Sequence, residues 1–215
     1  MSTNILPPVL PSAGGPSVAV LAATSPAVSL GDWLNRLSED DFYLFCRRNA
    51  ELKFERRADG TIEFLTMTGG TTGNRNIKLL ARLQIWAEDN RTGLAFDSST
   101  GFRLPNGAVR SPDAAWVRAE TWQALPAAQQ EKFPPLCPDF VVELVSPSDD
   151  LTAVVVKMEE YIANGCRLAW LVDPKTETAR AFRADGSVSV AKTFAETLSG
   201  EDVLPGFAFS LNTLR

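Results

Sequence analysis

FVVELVSPSDD, Phe140 to Asp150, is the stretch on which the reading of the fold turns. Phe140 to Val145 is a run of apolar and β-branched residues, the composition of a strand buried in a sheet. Side chains alternate along a strand, so Phe140, Val142 and Leu144 share one face and Val141, Glu143 and Val145 share the other. Glu143 therefore sits between two valines rather than in a polar row. Burying an ionised carboxylate without a partner costs several kcal/mol. Glu143 must have a counter-charge, hold a cation, or sit at the mouth of a cleft. A buried ion pair with Arg or Lys, or a strand end that reaches water, is the architectural alternative.

The segments on either side have the signals of alternating strands and helices. A helix is expected from about Thr152 to Asn164, with Gly165 suited to its C′ position. Leu151, Val154, Met158, Tyr161 and Ile162 form its apolar arc, and Lys157 lies roughly 100° from the arc's centre. It is a border residue, either solvated or long enough to reach back to the sheet. RLAWLVDP reads as another apolar strand and ARAFRADGSVSV as a hairpin. Upstream, LAFDSS (Leu94 to Ser99) and DAAWV (Asp113 to Val117) fit short strands. TWQALPAAQQEKFPP fits a helical excursion closed by two prolines. In SPDAAWV, Pro112 biases Ser111 to extended backbone, so Asp113 opens a strand, although an isolated Pro-Asp is more often a turn.

Nearer the amino terminus, Ser38 to Asp41 resembles a capping box for a helix ending near Asn49. ELKFERRADGTIEFLTM, Glu51 to Met67, reads as a hairpin turning at Ala58 to Gly60, with Leu52, Phe54, Ile62 and Phe64 in alternation. GGTTGN, Gly69 to Asn74, reads as a loop. A helix follows it, with Ile77, Leu80, Leu83 (or Gln84) and Trp86 on or near one side. The whole is an α/β arrangement with antiparallel hairpins at its edges.

The chain has 215 residues, 45% of them apolar, which suits one globular domain, placed at 32–215. Residues 1–31 carry no charged side chain and are rich in Pro, Ala and Ser, the composition of a flexible leader. SVAVLAA, Ser17 to Ala23, lacks the basic flank of a signal peptide. No apolar run reaches the roughly 20 residues of a membrane span. The formal charge of -5 leaves any nucleic-acid contact to a local patch. CRRNAELKFERR, with Arg47, Arg48, Lys53, Arg56 and Arg57, is the candidate, against the blander reading of a solvated hairpin surface. Three well-separated cysteines suit free thiols in a reducing cytoplasm. The chain has no histidine, which removes Ser-His-Asp and Cys-His nucleophiles and His-ligated zinc. The tools left to a hydrolase are carboxylates, lysine and a hard metal ion.

Asp113, Glu143 and Lys157 together make a phosphodiesterase-like set. Two carboxylates can hold Mg2+, which prefers oxygen ligands and keeps several waters, and an ammonium nearby can neutralise charge on the phosphate.

SPDAAWV, then PDFVVELVSPSD, a helix with VKMEEY, and GCRLAWLVDP, in that order, resemble the Uma-two family of endonuclease-like proteins. That family belongs to the PD-(D/E)xK, or restriction-endonuclease-like, superfamily. The resemblance runs from about Trp33 to Phe209. It implies a restriction-endonuclease-like core, a mixed central sheet flanked by helices, with added antiparallel hairpins. It matches Asp113 to the PD acid and Glu143 to the acid of (D/E)xK. The usual lysine position is Val145 here, and Lys157 on the next helix matches the lysine of this branch. Glu55 matches an acid of the first hairpin. Its role is open between a solvated hairpin acid, an extra metal ligand and a partner of Lys157. Many relatives carry His where this chain has Asn74. The implied function is a Mg2+-dependent endonuclease (Mn2+ substituting) acting on DNA, with a homodimer as a candidate assembly. RNA as substrate and a non-catalytic binding or assembly module are the alternatives. Asp113 and Glu143 are expected on neighbouring strands, with Lys157 pointing at them.

Overall fold

The structure, a computed structural model, describes residues 34–215. The leader at 1–31, with Ser17 to Ala23, lies outside the described residues. Helix α1 (Glu39–Arg48) is followed by the hairpin β1 (Lys53–Arg56) and β2 (Ile62–Leu65) and by the long helix α2 (Gly70–Asn90). Strands β3 (Gly93–Asp97), β4 (Phe102–Arg103), β5 (Val109–Arg110) and β6 (Ala114–Arg118) come next, then the short helices α3 (Ala119–Gln123) and α4 (Ala127–Gln130). Strand β7 (Phe140–Leu144), helix α5 (Leu151–Ala163) and strand β8 (Leu168–Asp173) form a βαβ unit. Strands β9 (Thr178–Arg183), β10 (Val188–Ala191), β11 (Thr197–Ser199) and β12 (Ala208–Ser210) and a final 3-10 turn (Leu211–Leu214) complete the chain.

The central sheet has six strands in the order β10-β9-β8-β7-β6-β3. Only β7 and β8 are parallel; the other neighbours run antiparallel. The parallel pair needs a crossover, and α5 supplies it. Every residue of β7 and β8 is buried, as the continuous apolar runs in their sequences require of strands covered on both faces. The alternation in β7 is the expected one. Phe140, Val142 and Leu144 join Trp116, Trp170 and the α2 residues Leu79, Leu83 and Trp86 on one face. Val141 and Val145 join Ala115, Leu171 and the α5 residues Met158 and Tyr161 on the other. Glu143 shares that second face. The mixed sheet flanked by helices is therefore present, with hairpins added at its edges.

A second sheet, in the order β2-β1-β5-β4, was not legible in the sequence. GFRLPNG folds as part of its own hairpin, turning at Gly107 with φ +88. One bridge, Arg56 to Val109, joins that hairpin to β1. Phe42 of α1 packs beneath it with Phe54 and Val109.

One local expectation is corrected. Gly69 to Asn74 is not a loop: Gly69 is the N-cap and α2 begins at Gly70. Glycines lower helix propensity, but packing decides helicity here, because Thr72, Leu79, Leu83, Trp86 and Ala87 make one buried side. Ile77 is consequently exposed. In the first hairpin, Phe54 is buried while Leu52 and Phe64 are exposed. Phe54 and Phe64 are register partners whose rings meet at 5.1 Å, and the opposite face of β1 carries Glu55 inward.

Phe207 clamps the C-terminal segment onto the first face, stacked on Trp170 at 5.7 Å and packed against Trp86. Phe207→Ala is expected to cost about 3–5 kcal/mol by chemical denaturation, as for other buried aromatics. Phe64→Ala, at a position 63% exposed, should stay within about 0.5 kcal/mol of the parent.

Candidate active site

Ala114 pairs with Val142 across β6 and β7, so one residue further along the same register sets Asp113 beside Glu143. Asp113 is fixed from both sides. Its Oδ2 accepts from the Leu144 N–H at 2.8 Å and its Oδ1 accepts from Asn76 Nδ2 of α2 at 2.9 Å. Glu143 stands on the face turned to α5. From that helix come Lys157 and, one turn later, Tyr161. Lys157 Nζ lies 2.7 Å from Glu143 Oε1, and the Tyr161 hydroxyl donates to the same oxygen at 3.0 Å.

The lysine has a second partner. Its Nζ donates to Glu55 Oε1 at 2.9 Å, so the ammonium bridges the hairpin strand β1 and the central strand β7. Glu55 also accepts from the Ser111 N–H at 2.8 Å and pairs with Arg110 at 3.1 Å. Arg110 in turn meets Glu63 at 3.0 Å and Glu160 at 2.6 Å. Asp113, Glu143, Lys157 and Glu55 line one open cleft of about 1390 Å³, together with Lys53, Asn76, Arg110 and Ser111.

The carboxylates of this cleft differ in how readily they ionise. Burial pushes Glu143 up to about 7; Lys157 pulls it down, while Asp113 and Glu55 push it further up. Asp113 is also raised, again chiefly by burial. Burial would raise Glu55 too, but the charges of Lys157 and Arg110 outweigh it and hold the group below the usual range. Lys157 is raised despite burial, because Glu143 and Glu55 both favour its ammonium form. Lys53 is lowered by burial, with Glu55 and Asp113 opposing. The result is a lysine held in its ammonium form, a Glu55 biased toward its carboxylate, and a Glu143 that charges near neutrality beside another acid.

The four residues singled out in the sequence thus meet at one place. Lys157 reaches back to the sheet, and of the roles open to Glu55 the observed contact is that of a Lys157 partner. The Asn74 position is exposed; the asparagine turned to Asp113 is Asn76. Tyr161 passed for core because it lies in the apolar arc of α5, although it follows Lys157 at i+4, the spacing that sets two side chains on one side of a helix. Arg110 gave no sequence signal, since its place depends on the pairing of β5 with β1. The basic cluster does not act as a group. Arg56 is buried, bonded to Leu37 O and Gly107 O and set over the Phe42 ring, and Arg57 pairs with Glu63.

A family model described as "Uma2: Putative restriction endonuclease" matches residues 39–212. Five solved chains match the structure. One is from Anabaena variabilis and is described as "a putative nuclease belonging to DUF820". It is 17% identical, and the likeness covers 76% of this chain and 90% of that one with a TM-score of 0.65, which shows a shared fold. No curated protein matches the chain.

Lys157→Met would leave Glu143, Asp113 and Glu55 without their shared counter-charge. At pH 8 without metal it should lose about 3–5 kcal/mol. Glu143 is raised in the folded state, so ionising it opposes folding. Both proteins lose stability between the ordinary value of 4.5 and the folded value of about 7, and the variant's extra loss grows above about 7, where Lys157 lets wild-type Glu143 ionise. Urea titrations at pH 5 and pH 8 measure it.

Proposed function

The chain belongs to the Uma2 family, and from that membership and the geometry of the cleft we propose that it is a metal-dependent endonuclease hydrolysing phosphodiester bonds in DNA. Asp113 and Glu143 would hold Mg2+, with Mn2+ able to substitute. The observation that carries this reading is the Lys157 ammonium, at 2.7 Å from Glu143 and 2.9 Å from Glu55, in the cleft where Asp113 stands beside Glu143. The donor set fits a hard cation. Its ligands would be oxygens, and Glu143, which is buried, and Asp113, which is half-buried, would each ionise more easily with a positive charge between them. Among the described residues no three Asp, Glu, Cys or His side chains form a ligand group, so water and the substrate phosphate complete a Mg2+ shell. The description of the family as restriction endonucleases supports DNA as the substrate.

When bound, such an ion polarises the scissile phosphate and lowers the pKa of a coordinated water. The chain's own groups do the rest. Glu143 Oε1 pairs with Lys157 and accepts from Tyr161, and among the described residues neither contact engages Oε2, which would leave that oxygen for the cation. Lys157 has three N–H donors. Glu143 and Glu55 occupy two, and the third serves the attacking water or a phosphate oxygen. Glu55 holds Lys157 in place and is itself held by Arg110 and the Ser111 N–H. Lys53, on the same wall and without a carboxylate at ion-pair distance among the described residues, is available to the DNA backbone.

Replacing Glu143 with Gln tests the reading. Plasmid cleavage in Mg2+ should fall about a thousandfold, the equivalent of several kcal/mol of lost transition-state stabilisation. The metal-free melting temperature should hold or rise, because Lys157 keeps Glu55 and the repulsion with Asp113 is relieved. A loss of about 3–5 kcal/mol in stability, with cleavage per folded molecule intact, would assign Glu143 to architecture and end the proposal.

A further inference from the structure

Asn76 donates Nδ2 to Asp113 Oδ1 at 2.9 Å, and its own Oδ1 is buried without a hydrogen-bond partner. The amide cannot be turned round. An ionised carboxylate only accepts hydrogen bonds, so a flip would set Oδ1 against Asp113 Oδ1. The carbonyl is therefore fixed in an unsatisfied position, which natural structures rarely tolerate. Among the described residues the other two unpartnered buried atoms are the indole N–H groups of Trp116 and Trp170, which are donors within an apolar cluster. Asn76 differs from both. It offers an acceptor, and it lies on the wall of the cleft that holds Asp113 and Glu143.

We infer that Asn76 is a third protein ligand of the cation held by Asp113 and Glu143, through Oδ1. This rests on the reading of that pair as a metal site. Size supports it. A hydrogen-bonded water stands about 2.8 Å from an oxygen, whereas Mg2+ binds oxygen at about 2.0–2.1 Å. A cation that gives up one of its waters to a ligand can bind a carbonyl against which no free water fits. Charge supports it as well. Glu55, Asp113 and Glu143 already crowd the cleft with negative charge, and an amide oxygen adds a ligand without adding to it. The Asn76 N–H and the Leu144 N–H also hold Asp113 from its two oxygens, so one side chain would orient an acidic ligand and supply a neutral one.

The test reads metal binding to the full chain, not cleavage. Free Mn2+ is titrated by electron paramagnetic resonance against wild type and Asn76→Ala, with circular dichroism and metal-free melting recorded for both. Loss of a ligand should weaken Mn2+ by at least the roughly tenfold typical of removing an outer-shell partner, with the fold retained. Because Asn76→Ala also frees Asp113, a second measurement separates ligation from positioning. Protein labelled with 13Cγ asparagine should show a 13C hyperfine coupling to bound Mn2+, and Asn76→Ala should abolish it. An unchanged Mn2+ affinity, or a labelled wild type that binds Mn2+ without that coupling, overturns the inference; so does a wild type that binds no Mn2+. A chain that binds Mn2+ with the coupling but cuts no DNA would end the nuclease reading and leave this one standing.

Discussion

The Lys157 ammonium, shared by Glu55 and Glu143, is the interaction on which the arrangement depends. It ties the crossover helix α5 and the central strand β7, already packed together, to the outer hairpin strand β1. Through Glu55 the linkage continues to Arg110 and to Glu160 back on α5, so the loop of charges closes on the helix where it began. Such networks are not a cheap way to gain stability. Taking charges out of water costs about as much as their attraction returns, and a well-packed apolar cluster often does as well. What they do provide is a set of charged groups held at fixed separations beside an open cleft.

The two glutamates that share the lysine are not equivalent, and the difference separates their roles. Glu55 has Lys157, Arg110 and a backbone N–H, and is held below its usual pKa range. Glu143 has Lys157 and the Tyr161 hydroxyl but faces Asp113, and burial pushes it to about 7. One lysine cannot satisfy both acids and Asp113 as well. The deficit of positive charge falls on the Asp113–Glu143 side, which is where a divalent cation would relieve it. Counter-charge and cation site, opposed as explanations for an acid inside an apolar strand, are therefore compatible at Glu143.

Most of this site was legible because it is built on regular elements. Alternation along β7 places Glu143 opposite to Phe140, Val142 and Leu144, and the structure follows it. Helical spacing places Lys157 at the border of the α5 arc, close enough to reach the sheet. The second sheet was not legible, because β4 and β5 are strands of two residues each, too short to show a period. Glu55 and Arg110 depend on that sheet, so their contacts could not be foreseen from either segment alone. The start of α2 was misjudged because two glycines and two threonines argue locally for a loop, whereas burial of Thr72 and Leu79 decides for a helix. Asn76 gave no signal, because its approach to Asp113 depends on how α2 packs against the sheet.

In the proposed site, Asp113 and Glu143 hold a cation beside a lysine locked in place by Glu55. Anomalous diffraction from crystals soaked in Mn2+ addresses it most directly. One strong peak is expected, with an oxygen from each of Asp113 and Glu143 within about 2.3 Å, a distance ordinary for oxygen ligands of divalent cations, while Lys157 Nζ keeps its contact with Glu55. A cleft without a peak at saturating Mn2+, or a peak bound elsewhere with Lys157 still seated on Glu143 and Asp113 untouched, would contradict it.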